Sequence, residues 1–137
     1  MLFRSEILSM RDKMREAHPN ASGLFDLKHD RGGIVDVEFV VQFLVLGHAH
    51  RHAGLTRNIG NLALLKLAAG LGLLPDDLAG GAHAAYREFR RLQHAMRLQG
   101  ERYARVEPAV VAEHAQAVLQ LWERVLGHIR RAPAQPE

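Results

Sequence analysis

Residues 34–50 read IVDVEFVVQFLVLGHAH and follow directly on the pair Gly32 and Gly33. The β-branched residues in this run suit a strand, but its length is about three times the usual strand of five or six residues. A largely buried helix is the consistent reading, and it commits the chain to helix-on-helix packing. Upstream, residues 24–29 alternate imperfectly and read as a short extended segment, for which the sequence supplies no hairpin partner. Farther upstream, Phe3, Ile7, Met10 and Met14 recur at helical spacing among charged residues that include Arg11, so a first amphipathic helix is expected until Pro19.

Downstream, Thr56 or Asn58 can cap a helix carrying Ile59, Leu62, Leu65 and Ala69, and its apolar second side places it centrally. Gly70, Gly72 and Pro75 end it, and Asp76 and Asp77 suit the positive start of the next helix. Ala82, Tyr86, Phe89, Leu92, Met96, Gln99 and Tyr103 then draw a stripe that predicts one helix over 76–105, about 45 Å long, with Gly80, Gly81 and Gly100 as points of interruption. After Pro108, the stripe Val111, Ala115, Val118, Trp122, Val125 and Ile129 predicts a last helix with Trp122 in the core. The expectation is an all-α fold of about five helices in an antiparallel, bundle-like domain, with a short irregular or extended Gly-Gly segment. A single domain over 1–132 and a disordered tail over 133–137 complete it.

The composition removes several classes of function. The 137 residues contain no Cys, which excludes disulfides, thiolate zinc sites and iron–sulfur clusters. No apolar stretch reaches the roughly 20 residues needed to cross a bilayer, and no signal-type run follows Met1, so a soluble, cytoplasmic protein is expected. His48 and His52 are four apart with His50 beside them, but no third ligand stands at metal-binding spacing. No metal site is assigned, and a solvated helix end is the simpler reading. Between 87 and 105, six arginines oppose only Glu88 and Glu101, a formal charge of +4. A solvated face is the first reading and protein docking the second. Nucleic acid is not the expected partner, because Tyr86, Phe89 and Tyr103 belong to the core stripe rather than to a stacking platform.

Chemistry concentrates in FDLKHDRGGIVDVEFVVQ, residues 25–42, which gather Lys28, Asp30, Arg31, Asp36, Glu38 and Gln42 around the glycines. On a helix, Asp36 and Glu38 diverge by about 200 degrees, so they do not form a paired-carboxylate metal site. Glu38 and Gln42, four apart, share a face. Acids in a first helical turn are also explained by the helix dipole alone.

The strings KHDRGGIVDVEFVVQFLVL, MRDKMR and LTRNIGNLALLKLAAGLGLL resemble the C-terminal adenylyltransferase module of bacterial glutamine synthetase adenylyltransferases, from about Arg4 to Ile129. Lys28, Gly32, Gly33, Asp36, Glu38, Phe39 and Gln42 match that family's pattern in order and spacing. PII uridylyltransferases share the broader plan and come second. A stand-alone helical interaction domain is the third alternative. The resemblance covers only the helical domain that follows the nucleotidyltransferase domain, whose glycine-serine signature and metal-binding Asp pair have no counterpart here.

What the resemblance implies is therefore divided. The whole enzyme transfers AMP from ATP to a tyrosine of glutamine synthetase with the help of Mg, while this chain alone is expected to be inactive and to hold no cofactor. Lys28, Asp36 and Glu38 are expected to support catalysis, with Lys28 near a phosphate or an acidic neighbour and Asp36 or Glu38 orienting a basic or metal-linked group. Asp30, Arg31, Gly32, Gly33 and Gln42 are expected at the interdomain surface or near the active site. The implied partners are the upstream nucleotidyltransferase domain, glutamine synthetase and PII.

Overall fold

A computed structural model describes residues 2–56 and 59–127. The run over 34–50 is helical: α2 covers Ile34–His48 and buries residues on nearly every side, including Ile34, Val37, Val40, Val41, Phe43 and Leu44. Around it stand α1 (Leu2–Ala17), α3 (Asn61–Gly70), α4 (Asp76–Leu98) and α5 (Pro108–Trp122). Helix α2 packs against all four of the others, so it is the centre of the antiparallel bundle. The sequence places α3 there instead. Among the described residues of α3 only Leu65 and Ala68 are fully buried, while Leu62, Leu64 and Ala69 are half-buried against the core, so α3 lies at its edge.

Three further expectations are corrected by packing. The extended segment does have a partner: β1 (Phe25–Asp26) pairs antiparallel with β2 (Arg105–Val106), Phe25 opposite Val106 and Asp26 opposite Arg105. The long helix stops at Leu98 because Gly100, at φ +82°, takes the left-handed position that ends a helix. There the Gly100 N–H donates to the Arg97 carbonyl and the Glu101 N–H to the Met96 carbonyl, both at 3.0 Å. Tyr103 consequently leaves the core stripe and is 49% exposed. In α1, Ile7 is buried as expected, but Met10 is 59% exposed and the residue buried beneath it is Arg11.

Gly80 and Gly81 interrupt nothing; a side chain at Gly81 would sit 3.3 Å from the Ala117 Cβ, so it allows α4 and α5 to approach closely. Phe89 is fully buried at the heart of this packing, 5.9 Å from the Phe25 ring and 6.1 Å from that of His114. Trp122 is buried as the stripe predicts, and the chain continues as a wider π turn over Glu123–Gly127. Thr56 as a helix cap, Asn58, Ile129 and the tail over 133–137 lie outside the described residues or side chains. No helix among the described residues is long and apolar enough to cross a membrane.

Candidate functional site

The loop that joins β1 to α2 is held by three aspartates, each doing a different task. Asp26 turns its carboxylate back on the chain: Oδ1 accepts the Lys28 and His29 N–H groups at 3.0 and 2.9 Å, while Oδ2 accepts from Arg105 Nε at 3.1 Å. Asp30 Oδ2 accepts the Asp26 N–H at 2.9 Å and Asn20 Nδ2 at 3.0 Å. Asp36, buried in the first turn of α2, accepts the Gly32 N–H at 2.7 Å and Arg11 Nε at 2.5 Å. Arg11 also donates through Nη2 to the His29 carbonyl at 2.7 Å, so one buried guanidinium clamps both ends of the loop.

The two glycines are needed for shape. Gly32 has φ +90°, and a Cβ there would lie 3.0 Å from the Ala115 carbonyl oxygen of α5. At Gly33 the obstacle is the Leu27 carbonyl oxygen, 2.6 Å from where a Cβ would stand. That same oxygen accepts the Ile34 N–H at 2.8 Å, and the Lys28 carbonyl accepts the Val35 N–H at 3.0 Å. The free N–H groups that begin a helix ordinarily invite an anion. Here Gly32, Ile34 and Val35 spend theirs inside the chain, so the Gly-Gly turn is a packing device and not a phosphate cradle.

The sequence-selected residues do not converge on one point. Lys28 is exposed and lines a cleft with His29, Arg97, Arg102 and Tyr103. Arg31 is exposed beside Gln116, Gln120 and Glu123 of the last helix and its π turn. Glu38 and Gln42 share a face as their spacing predicts, and with Ile7, Met10, Phe39 and Leu46 they line a groove between α1 and α2. Glu38 Oε2 accepts from the Tyr86 hydroxyl at 3.1 Å, and that hydroxyl accepts from Asn61 Nδ2 at 3.3 Å. Burial, and next the Glu38 charge, push the Tyr86 pKa above its usual 10.0. Among the described residues no three His, Asp or Glu side chains are grouped to hold a metal.

Arg11, Asp26 and Arg105 were not singled out by the sequence. The signal for Arg11 is its place four residues after Ile7, on the same helical face, within the MRDKMR string. Nothing local marks Arg105, whose partner lies 79 positions away.

The His29 ring stacks on His18, with centroids 3.8 Å apart and planes 6° from parallel. Burial, followed by the His18, Lys28 and Arg11 charges, lowers the His29 pKa below 6.5, against an opposing pull from Asp26. The unfolded imidazole therefore binds more protons than the folded one just below pH 6.5, and stability should fall as the pH drops through that value. His48 adds a shift of the same sign through burial, Arg51, His52 and His50. Denaturant midpoints measured at about pH 7.5 and about pH 5.5 should separate in wild type and draw together in His29→Asn. Equal separation in both proteins would remove His29 from this account.

The family model described as GlnD PII-uridylyltransferase matches residues 3–125. Curated relatives are bifunctional glutamine synthetase adenylyltransferase/adenylyl-removing enzymes. That of Nitrosomonas eutropha is 53% identical over 139 residues, covering 91% of this chain and 15% of the relative. That of Bordetella bronchiseptica is 55% identical over 124 residues, 90% of this chain and 13% of the relative. The Ralstonia nicotianae protein is 51% identical over 134 residues, 98% of this chain and 14% of the relative. This chain thus spans only 13–15% of the length of these relatives. The match of the family model over 3–125, with identities of 51–55% along nearly the whole chain, means that the protein belongs to the GlnD PII-uridylyltransferase family, as a helical region of the kind carried by the bifunctional glutamine synthetase adenylyltransferase/adenylyl-removing enzymes.

Proposed function

We propose that residues 1–132 form the helical accessory domain of a cytoplasmic glutamine synthetase adenylyltransferase and brace an upstream nucleotidyltransferase domain. In that enzyme a glutamine synthetase tyrosine oxygen displaces pyrophosphate from the α-phosphorus of ATP and takes AMP. The observation that carries this reading is the loop over 26–36, held rigid by Arg11, Asp26, Asp30 and Asp36 while leaving Lys28 and Arg31 exposed. A loop restrained on that scale presents its cations from a fixed backbone, and positioning is what phosphoryl-type transfer asks of its supporting groups.

The carboxylates divide the labour. Asp36 has one oxygen on Arg11 and the other on Gly32, and Glu38 receives the Tyr86 hydroxyl, so neither is arranged as a metal ligand. Mg and ATP would be held by the nucleotidyltransferase domain. Asp36 acts by holding the loop, with Asp30, Gly32 and Gly33 as its companions. Lys28 and Arg31 meet phosphate or acidic groups, and Glu38 and Gln42 face the neighbouring domain beside the exposed Met10 and Leu46 of their groove. Glutamine synthetase and PII are the partners of the whole enzyme. The second reading, a PII uridylyltransferase domain, is favoured by the family model over 3–125, whereas the relatives at 51–55% identity favour adenylyl transfer.

The test is made in the full-length protein that carries this chain, with AMP transfer to glutamine synthetase and UMP transfer to PII measured side by side. Lys28→Ala and Glu38→Gln should each lower AMP transfer by about tenfold, the loss of one charge-assisted contact, with the thermal transition little changed. Unaltered rates in both variants would remove the supporting role. UMP transfer without AMP transfer would establish the second reading.

A further inference from the structure

The cleft that Lys28 lines carries an arrangement of charge that the accessory role does not use. It encloses about 240 Å³ between the loop after β1 and the turn that follows α4, and its wall includes Lys28, His29, Gln93, Arg97, Arg102 and Tyr103. We propose that this cleft is a binding site for a small phosphate chain, either inorganic pyrophosphate or the phosphate end of a nucleotide. The inference shares Lys28 with the supporting role proposed above and extends it to Arg97 and Arg102, but its test measures anion binding and does not depend on AMP transfer.

Three cations stand around one hollow with little to neutralise them. Among the described residues neither Lys28 nor Arg97 has an acidic partner, and Arg102 lies over the Tyr103 ring at 5.3 Å. Two acids also line the cleft. Asp26 is already committed to Arg105 and to two backbone N–H groups, which leaves Glu101 alone against Lys28, Arg97 and Arg102. Lys28, Arg97 and Arg102 are all exposed, and like charges gathered around one concave site raise the local potential and favour a multivalent anion over a single charge.

The backbone beneath the site is also held before any ligand arrives. Asp26 fixes the backbone of Lys28 at 3.0 Å, and the left-handed turn at Gly100 fixes where Arg97 and Arg102 stand relative to each other. The negative end of α4 opposes an anion less where its last carbonyls are capped. Its Ala95, Met96 and Arg97 carbonyls already accept the N–H groups of Gln99, Glu101 and Gly100 at 3.0–3.2 Å. At about 240 Å³ the open cleft is smaller than the roughly 300–1,000 Å³ usual for a drug-sized ligand, which leaves room for a phosphate chain.

The full 137-residue chain is titrated calorimetrically with pyrophosphate, ADP and citrate at fixed ionic strength, and amide shifts are followed by NMR. Pyrophosphate should bind at one site with shifts confined to Lys28, His29 and the 97–103 turn, and citrate should bind at least about tenfold more weakly. ADP binding as well as pyrophosphate would assign the phosphate end of a nucleotide, and pyrophosphate alone would assign the free anion; both support the site. Arg97→Ala and Arg102→Ala should each weaken pyrophosphate by about tenfold, whereas Arg90→Ala, elsewhere on α4, should leave it unchanged. Citrate binding equal to that of pyrophosphate, or an equal loss in Arg90→Ala, would reduce the effect to surface charge and overturn the proposal.

Discussion

Arg11→Ala is expected to destabilise the domain by about 3–5 kcal/mol, because it leaves the Asp36 carboxylate buried with the Gly32 N–H as its remaining partner. For a chain of this size that corresponds to a thermal transition lower by roughly 10–20 °C. Arg11→Lys should fall between, since an ammonium keeps the charge but cannot reach Asp36 and the His29 carbonyl together as the guanidinium fork does. The double variant Arg11→Met with Asp36→Leu should recover much of the loss, as apolar replacement of a whole buried pair usually does. Denaturant unfolding of the four proteins checks this. An Arg11→Ala midpoint close to wild type would show that the pair is solvated and that the loop is held by other means. Because Asp36 belongs to this buried pair, a change there would disturb the fold as well as any chemistry, and the activity test therefore rests on Lys28 and Glu38.

Trp122→Ala should cost about 3–5 kcal/mol through lost transfer energy and the cavity left under α5. Trp122→Phe makes a sharper test. The indole Nε1 is buried and has no hydrogen-bond partner among the described residues. An unpaired buried donor carries a penalty of about 1–3 kcal/mol, so removing it should offset much of the volume lost to phenylalanine. The phenylalanine variant is therefore expected well above the alanine variant in denaturant midpoint. Equal losses in the two would mean that the indole N–H has a partner after all.

How much of this was readable in the residues differs from element to element. The run over 34–50 exceeds any ordinary strand, so length alone settled α2 and with it the helical class. Gly100 was visible as a helix stop, yet Tyr103 at helical spacing argued for continuation. Only the backbone bonds of Gly100 and Glu101 decide between them. The two-residue β1 carries no period of its own, and its partner is specified by the Asp26–Arg105 ion pair far along the chain. Arg11 was assigned to solvent because polarity ordinarily marks the outer face. That rule gives way when an acid from another helix accepts the charge. The motif's membership was legible, but which of its residues hold the loop and which are left exposed depends on contacts made by α1 and β2.

The pairing of Asp26 with Arg105 has a consequence for the order of events during synthesis. Arg11 is already made when Asp36 leaves the ribosome, so half of the loop's restraint is available at once. The other half waits until Arg105, 79 residues after Asp26, has been made, roughly 4–16 s after Asp26 at ordinary elongation rates. Until then Lys28 hangs from a segment tethered at one end, and its final position is set only when the second half of the polypeptide arrives.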